Sequence, residues 1–425
     1  MASKYLLALN CGSSSLKTTL FSYPSLEQIA TITASSIGSS EAVLKTKYKS
    51  KDSGKKSVQG ESHNQIFGDV LQELKRLDGG KLVSDVKQIK IVTHRIVHGG
   101  TLSEPVEVSK EHTEALESMM KLSAFAPLHN HHAVLTVKAV LEQLPDAVSY
   151  CCFDTLFHRT MPKHIYTYPI EQPEHEPPVP LRRYGFHGLS YASILKQVAE
   201  YLKKPIEKVN IIVCHLGSGA SMCVIKDGKS LDTTMGLTPL EGLPGGTRSG
   251  SLDPSLTYHL YEDPMKSGSL QSTNDIEISR GELVLNKSSG FKGLCGTNEF
   301  GKITQLAQQQ LEKGEEGKEL LCVRIFENRI LNFLGAYLVA LRNSPDAIIF
   351  SGGIGERSSS LRSSILKAID YLGIEIDEKA NEGAGEIQDG VVEITTKNSR
   401  VKALRVLTDE ERQCADMAKE HFGEM

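Results

Sequence analysis

The sequence predicts an α/β protein of two related domains that face one another across a cleft, and three observations carry this prediction. Short apolar runs alternate with amphipathic segments along the chain, a pattern typical of strands alternating with helices. A Gly-Ser turn between two apolar runs occurs twice, in "LLALNCGSSSLKTTLF" (6–21) and in "NIIVCHLGSGASMCVI" (210–225). The chain of 425 residues is also longer than one compact core requires. We therefore assign the first domain to 1–157 together with a C-terminal helix at 407–425, and the second domain to 158–406.

Apolar runs and apolar periodicity assign the individual elements in order. Strands are predicted over 5–9, 17–21, 89–93, 147–153, 210–214, 221–226 and 346–350. Helices are predicted over 133–144, 191–203, 320–342, 361–372 and 409–421. The helix at 320–342 has apolar residues on too many faces for a surface helix, so we expect it to cross a domain interior.

Three polar stretches interrupt this pattern. Residues 45–56 hold six lysines and are predicted to form a solvated hairpin or loop. Residues 262–300 are rich in Ser, Gly and Asn and are predicted to contain a ligand-facing loop. Residues 380–399 are predicted to be an exposed excursion.

The composition excludes several classes of protein. A net charge of -4 and a pI near 6.4 give no electrostatic basis for binding nucleic acid or an anionic membrane. The sequence has no apolar run long enough to span a bilayer, and its N-terminus lacks the pattern of a signal peptide, so we expect a cytoplasmic protein. Eight cysteines without CxxC spacing are interpreted as small buried apolar residues.

Three glycine-rich turns are candidates for holding phosphate groups. The turns at 10–17 and 217–221 can direct several backbone N–H groups and hydroxyls at one place. The third turn follows an apolar run in "IIFSGGIGERSSSL", where Ser358 is placed to cap the next helix. The sequence contains no GxxxxGK[ST] pattern, and no GxGxxG follows the first strand, so P-loop and dinucleotide-binding folds are disfavoured.

Charged residues adjoin these turns in short motifs. They are Arg95 in "THRIVHGG", His129 in "APLHNHH", Asp154 in "CCFDTLFH", His187 in "RRYGFHG" and Arg248 in "LTPLEGLPGGTRSG". Fixed donors around phosphate-holding turns are what phosphoryl transfer needs, because its barrier is mostly charge on oxygen atoms. A zinc site at His129, His131 and His132 is disfavoured, since adjacent histidines point in different directions and no Asp or Glu lies at a matching offset.

These motifs together resemble the acetate kinase family, within the superfamily of sugar kinases, chaperone ATPases and actin. The likeness runs in order through "LALNCGSSSLK", "HRIVHGG", "FDTLFH", "RRYGFHG", "CHLGSGAS", "TPLEGLPGGTRSG", "SGGIGER" and "LTDEER". The resemblance implies duplicated actin-like, ribonuclease H-like domains with a cleft between them. It also implies a homodimeric transferase that moves the γ-phosphoryl group of ATP to acetate with Mg²⁺, giving acetyl phosphate and ADP.

The resemblance also implies roles for individual residues. Asn10 and Glu410 would hold Mg²⁺, and Asp154 would organise it. Arg95 and Arg248 would bind the carboxylate and the moving phosphoryl group, with a hydrogen bond from His187 and support from His129. The acetate pocket would be Val97, Leu128, Phe186 and Pro239. The nucleotide would be held by Lys17, Gly217, Ser218, Gly219, Glu299, Phe300, Gly352, Gly353, Ile354, Gly355 and Arg357.

Acetate is already ionised at pH 7, so we predict that no residue acts as an essential general base. The sequence departs from the family pattern at the adenosine side, where Glu299, Phe300 and Gly301 occupy the place of a usual Asp-Phe-Arg run, and at Arg357, where the family has Asn. Pyrophosphate is therefore a candidate donor besides ATP. The motifs also leave open a propionate or butyrate kinase on the same fold and a catalytically silent nucleotide-binding protein.

Overall fold

The computed structural model describes residues 4–49, 51–110, 113–122, 130–171, 173, 177, 179–273, 276–383 and 390–424. The strands are β1 (Lys4–Cys11), β2 (Ser15–Tyr23), β3 (Gln28–Ser35), β4 (Val43–Tyr48), β5 (Lys51–Ser57), β6 (Ile89–Ile96), β7 (Val106–Val108), β8 (Val148–Phe153), β9 (Ile211–Leu216), β10 (Ala220–Lys226), β11 (Lys229–Thr233), β12 (Leu270–Thr273), β13 (Ile276–Ser279), β14 (Ala347–Ser351), β15 (Val391–Glu393) and β16 (Lys402–Val406).

The α-helices are α1 (His63–Arg76), α2 (Glu114–Lys121), α3 (Asn130–Gln143), α4 (Lys163–Tyr166), α5 (Gly188–Tyr201), α6 (Met265–Gly268), α7 (Arg280–Lys287), α8 (Gly290–Cys295), α9 (Phe300–Lys313), α10 (Lys318–Ala340), α11 (Gly352–Arg357), α12 (Ser359–Lys367), α13 (Glu378–Glu382) and α14 (Glu410–Phe422). A 3₁₀ helix at Asp154–Thr160 follows β8 directly.

The strands form two large mixed sheets that share one pattern. The first sheet has the order β5-β4-β3-β2-β1-β6-β8-β7, and the second has the order β11-β10-β9-β14-β16-β15. In each sheet an antiparallel three-stranded meander, β1-β2-β3 or β9-β10-β11, is followed by two parallel strands, β6 and β8 or β14 and β16. The predicted α/β fold with a duplicated unit is therefore confirmed.

Apolar side chains from the sheets and helices form the cores. One core lies between the first sheet and helices α1 and α3, and another lies between the second sheet and α10. Helix α5 covers the opposite face of the second sheet. Helix α14 packs against β1 and β6 of the first sheet and against α5, which brings the C-terminal helix onto the N-terminal sheet.

All the predicted strands and helices are present, with ends that differ by a few residues, and the lysine-rich segment forms the predicted hairpin as β4 and β5. All eight cysteines are buried and unbridged, as predicted. No described helix combines the length and the apolar composition that crossing a bilayer requires. The sequence did not predict β3 or α1.

The prediction that the long helix crosses a domain interior is wrong. One face of α10 is buried in the core through Phe326, Ile330 and Leu334. Its other face lies on the surface, where Val339 is 73% exposed. The apolar residues outside the buried face are therefore surface residues.

The prediction of an exposed excursion at 380–399 is wrong in part, and the ligand-facing loop predicted within 262–300 stays a prediction. The described residues of 262–300 include α6, β12, β13, α7 and α8. At the start of α8, the backbone N–H of Phe291 donates to Gly245 O at 2.9 Å, which holds the segment before Arg248. The described residues of 380–399 include the edge strand β15 and buried Asn381, whose side-chain oxygen accepts from Arg362 at 2.8 Å.

Candidate active site

The Gly-Ser turns and the ends of the parallel strands meet at one cavity. Strand register places Asn10 of β1 beside Lys17 of β2 on one side and Arg95 of β6 on the other. Asp154 follows the end of β8. Carboxyl ends of parallel strands share one edge of a sheet, and ligands commonly bind there.

This cavity has a volume of about 330 Å³ and brings together most of the residues predicted for the reacting groups. It is lined by Asn10, Cys11, Gly12, Ser15, Lys17, Arg95, Val97, Asp154, Phe186, His187, Gly219, Pro239 and Arg248. Residues of both sheets contribute, so the cavity lies between the two halves of the fold.

Arg95 is held in place by three acidic or amide side chains. Its Nε and Nη2 donate to the two carboxylate oxygens of Asp154 at 3.2 and 2.8 Å. Its Nη1 donates to Glu410 Oε2 at 2.5 Å and to Asn10 Oδ1 at 3.3 Å. Burial alone would lower the pKa of the guanidinium, but Asp154 and Glu410 outweigh it and raise the pKa. Arg95 is therefore a fixed cation.

The C-terminal helix supplies two carboxylates to the site. Asn10 Nδ2 donates to Glu410 Oε2 at 2.8 Å and to Glu411 Oε1 at 3.0 Å. Lys17 Nζ lies 2.6 Å from Glu411 Oε2. Ser190 Oγ donates to Glu410 Oε1 at 2.6 Å. The sequence did not predict roles for Glu411 or Ser190, although Glu411 stands beside Glu410 in "LTDEER".

Asp154 organises two elements from a fully buried position. Besides its pair with Arg95, its Oδ2 accepts the backbone N–H of His187 at 3.2 Å. His187 has a left-handed backbone (φ 58°) and immediately precedes α5. Both donors bind the same carboxylate, so Asp154 fixes the guanidinium of Arg95 and the backbone of His187.

His187 and Arg248 converge from two loops of the second half. A Cβ added at Gly219 would lie 3.3 Å from Arg248 Nη1 and 3.7 Å from His187 Nε2, so only glycine leaves the space between them open. Burial lowers the pKa of Arg248 to about 10, and the charge of Arg95 acts in the same direction. An anion bound between these two arginines would offset that cost.

An apolar wall closes one side of the cavity. Val97, Phe186 and Pro239 line it, and Val97 and Phe186 belong to a cluster with Leu122, Val179, Tyr184, Met235 and Leu237. The sequence missed His98, whose backbone N–H and C=O are both bonded to the side chain of buried Asn130. Leu128 and His129, predicted here from the sequence, lie outside the described residues.

A second cavity of about 450 Å³ carries much of the predicted nucleotide set. Its lining includes Gly217, Ser218, Phe300, Gly353, Ile354 and Arg357. Gly352 has φ 74°, and a Cβ there would lie 2.7 Å from Leu216 O, so the turn into α11 requires glycine.

The remaining members of the predicted nucleotide set lie elsewhere. Gly352 and Gly355 are buried, and Lys17 lines the first cavity. Glu299 is exposed and pairs with Lys302 at 2.8 Å. Ser358 occupies the N-cap position of α12, as predicted, but its side chain makes no capping hydrogen bond there.

The oxygen groups of the site suit a hard divalent cation. Asn10 offers an amide oxygen, and Asp154 and Glu410 offer carboxylates, which are the ligands that Mg²⁺ prefers. Among the described residues, no group of three or more His, Cys, Asp or Glu forms a metal cage. Mg²⁺ commonly takes one or two protein ligands and completes its shell with water and substrate phosphates.

Known proteins resemble the chain over nearly its full length. The Acetokinase family model matches residues 5–416. A probable acetate kinase of Cryptococcus neoformans is 45% identical over 434 residues, covering 99% of each chain. The crystal structures of Porphyromonas gingivalis acetate kinase (31% identity, TM-score 0.80) and a Francisella tularensis propionate kinase (32% identity, TM-score 0.81) each cover 97% of this chain and are themselves covered to 98%. The position of Arg95 and Arg248 at one cavity is consistent with these matches. Because the family model and the relatives cover nearly the whole chain, the chain belongs to the acetokinase family.

Proposed function

We propose that this phosphotransferase moves the γ-phosphoryl group of ATP directly and reversibly to acetate, giving acetyl phosphate and ADP. The observation that carries the proposal is the 330 Å³ cavity, which is lined by an apolar wall together with two half-buried arginines and a histidine. An apolar wall suits a short acyl chain, and the arginines suit a carboxylate and a phosphoryl group.

The chain's own residues would act mainly on charge. Two like charges about 4 Å apart repel by roughly 4 kcal/mol at an effective dielectric constant of about 20. Arg95 and Arg248 would reverse the sign of that interaction between the carboxylate and the phosphoryl group. His187 would donate a hydrogen bond to the phosphoryl oxygens, and His129 would support it. Both carboxylate oxygens of Asp154 already accept hydrogen bonds from Arg95, so we assign it to organisation and to no proton transfer.

Mg²⁺ would be held by Asn10 and Glu410, with Asp154 organising the surroundings. The ion would supply positive charge to the phosphate oxygens. The contacts of Ser190 and Glu411 to these ligands would keep their oxygens oriented, as outer-shell partners commonly do.

The second cavity supports ATP as the phosphoryl donor. Its volume of about 450 Å³ lies within the range of small-molecule sites, and it adjoins the Gly217–Ser218 turn and the α11 loop. Pyrophosphate would need no such cavity. The altered residues Phe300 and Arg357 would form the nucleotide wall, whereas Glu299 does not line this cavity.

Propionate is the second candidate acceptor. The structurally similar Francisella tularensis protein is a propionate kinase by title. An added methylene changes binding in an apolar pocket by about 1 to 3 kcal/mol, so acyl chain length depends on the space beside Val97, Phe186 and Pro239.

The test is acyl phosphate formation trapped by hydroxylamine. The purified chain is incubated with Mg²⁺, with acetate, propionate or butyrate, and with ATP or pyrophosphate. We expect product with acetate and ATP, and none when Mg²⁺ is removed by chelation. Product with pyrophosphate but not with ATP would overturn the assigned donor. A higher kcat/KM for propionate than for acetate would overturn the assigned acceptor. Folded protein without product in any combination would favour the silent binder.

We also propose that the chain forms a homodimer in the cytoplasm. Apolar side chains on the surface of α9 and α10 support a contact with a second copy, among them Leu311 (53% exposed), Leu321 (51%) and Val339 (73%). Light scattering should give twice the chain mass, and Val339→Lys should lower it toward the monomer. A monomeric mass for the unmodified chain would contradict the dimer.

A further inference from the structure

A chain of buried hydroxyl groups contacts the ring of His187 on the side opposite Nε2. His187 Nδ1 lies 2.8 Å from Ser221 Oγ, and Ser221 Oγ lies 2.5 Å from Tyr191 Oη. Ser221 and Tyr191 are both fully buried. The proposed reaction gives these two hydroxyls no role.

Two elements of the second half create this arrangement. Tyr191 lies one turn after His187, and its backbone N–H donates to His187 O at 3.0 Å, so α5 places both rings on one side. Ser221 lies two residues after Gly219, at the start of β10. The hydroxyl chain therefore connects the second Gly-Ser turn to α5.

We infer that Ser221 and Tyr191 are positioning residues, which hold His187 as a neutral imidazole with its proton on Nε2, the nitrogen nearer Gly219 and Arg248. This inference rests on the proposed function, in which His187 donates a hydrogen bond to the phosphoryl group. A neutral imidazole carries one N–H, so a hydroxyl that donates to Nδ1 leaves the proton on Nε2.

The direction of the hydrogen bonds follows from burial and charge. The buried Tyr191 hydroxyl has two hydroxyl neighbours, Ser221 and Thr233, and it can donate to Ser221 Oγ. Ser221 can then donate to His187 Nδ1. The opposite direction would place the proton on Nδ1, and Nε2 would donate only from a charged imidazolium. Arg248 lies near the same point above Gly219, and like charges disfavour a second cation there.

His158 also contacts a serine hydroxyl through Nδ1, and a backbone carbonyl at its other nitrogen fixes the direction of that hydrogen bond. His158 Nε2 lies 2.9 Å from Phe186 O, which can only accept, so Nε2 carries the proton. His158 Nδ1 lies 2.8 Å from Ser230 Oγ, which must then donate. Ser230 is therefore a matched control for Ser221, because it contacts a histidine that does not line the cavity.

The tautomer can be measured by NMR of the full-length protein labelled with ¹⁵N-histidine, without substrate, at pH 8. The nitrogen shifts distinguish the two neutral tautomers and the imidazolium, and His187→Gln identifies the signals of His187. We expect the Nε2–H tautomer in the unmodified protein. Ser221→Ala and Tyr191→Phe should each shift His187 toward a mixture of tautomers.

Kinetics of the same variants give a second readout. Losing the hydrogen bond that orients His187 should lower kcat by about tenfold in Ser221→Ala, with KM values changed by less than about twofold, because the contact acts on the transition state. Ser230→Ala should change the signals of His158 alone and keep kcat. Tyr337→Phe is the control for Tyr191→Phe, since the buried Tyr337 hydroxyl has no hydrogen-bond partner among the described residues.

The proposal is overturned if the unmodified His187 is the Nδ1–H tautomer or an imidazolium at pH 8. It is also overturned if folded Ser221→Ala keeps both the tautomer and kcat. If Ser221→Ala fails to fold, the His187 tautomer and kcat are measured in Tyr191→Phe, and unchanged values of both would overturn the proposal. An unmodified protein that forms no acyl phosphate would defeat the proposed function instead, and the NMR result is independent of that outcome.

Discussion

At the scale of single residues, the site holds a cation at a position where burial disfavours its charged form. Arg248 is the clearest case, because burial and the charge of Arg95 lower its pKa to about 10. Its ordinary pKa is higher, so folding disfavours its charged form and the unliganded protein gains no stability from that charge. Arg248 is therefore retained at a cost to folding, which is typical of residues that serve a ligand.

Replacing this arginine should separate activity from stability. Arg248→Ala should lower turnover by about 10³- to 10⁵-fold, by analogy with arginines that stabilise phosphoryl transfer elsewhere. Arg248→Met, which keeps more of the side-chain volume, should lose activity equally and melt at the same or a higher temperature without ligand. Exposed Arg329 on α10 is the control, and Arg329→Met should change neither property. Near-normal turnover in Arg248→Ala would contradict the assigned role.

The sequence predicted most of the residues that line the first cavity, but it did not predict every side chain that hydrogen-bonds to them. Arg95, Asp154, His187 and Arg248 stand in motifs with glycines and strand ends, so local spacing indicates them. Ser190 reaches Glu410 across 220 positions, and Lys17 reaches Glu411 across 394. No local pattern encodes such pairs, because the fold alone brings them together.

At the scale of elements, the start of α5 is the junction on which the site depends. A Cβ at Gly188 would lie 1.8 Å from the backbone oxygen of Asp154, far inside contact distance. The helix start can therefore approach Asp154 only with glycine at this position. The same close approach lets the His187 N–H reach the Asp154 carboxylate.

Two glycine substitutions in helices should have opposite effects. Gly188→Ala should separate α5 from Asp154 and reduce turnover by more than about 100-fold, since small displacements of reacting groups are costly. Gly335→Ala on the exposed face of α10 meets nothing within 4 Å and should stabilise the fold by about 0.5 to 1 kcal/mol. Turnover assays and urea unfolding measure these effects. A Gly188→Ala variant with full activity would show that the junction tolerates a shift.

Apolar composition also explains which elements the sequence predicts. The strands β1, β9 and β14 are continuous buried runs and are evident in the sequence. Strand β3 alternates buried alanine and isoleucine with threonine, glutamine and serine, and this weaker pattern does not stand out from its surroundings. Exposed apolar residues on α10 resemble interior ones in the sequence, because hydrophobicity alone does not distinguish a core face from a surface face.

At the scale of the whole molecule, buried neutral histidines make stability depend on pH. Burial lowers the pKa of His94 to about 3 and the pKa of His158 to about 4. Burial likewise lowers the pKa of His98, His132 and His215 to about 4. The unfolded chain binds protons at these groups below about pH 6.5 while the folded chain does not, so acid favours unfolding.

Urea unfolding should therefore show a free energy of unfolding that is level above pH 7 and falls between pH 6.5 and 5. The expected slope approaches about 1.4 kcal/mol per pH unit for each histidine that is protonated only in the unfolded chain. Replacing exposed His164 by Gln should leave the curve unchanged, whereas His158→Gln should reduce its slope by at most about 1.4 kcal/mol per pH unit. A free energy that stays constant from pH 7 to 5 would contradict this account.

The division into 1–157 with 407–425 and 158–406 stays a prediction. The two sheets with one shared strand order support it, and α14 contacts both β1 of the first sheet and α5. Repetition of the Gly-Ser turn makes the duplication visible in the sequence. The contact of α14 with both halves is not visible there, because it depends on how the halves pack.

The pairing of Asn10 with Glu410 has a consequence for how the protein is made. A ribosome that has completed Asn10 must add 400 further residues before the partner carboxylate exists. An interrupted chain can contain the sequences of the first sheet and of both Gly-Ser turns and still lack the carboxylates of α14 that bind Asn10. The candidate site is thus complete only once α14 has been synthesised, and fragments that stop before α14 are expected to leave the cell's nucleotide pool untouched.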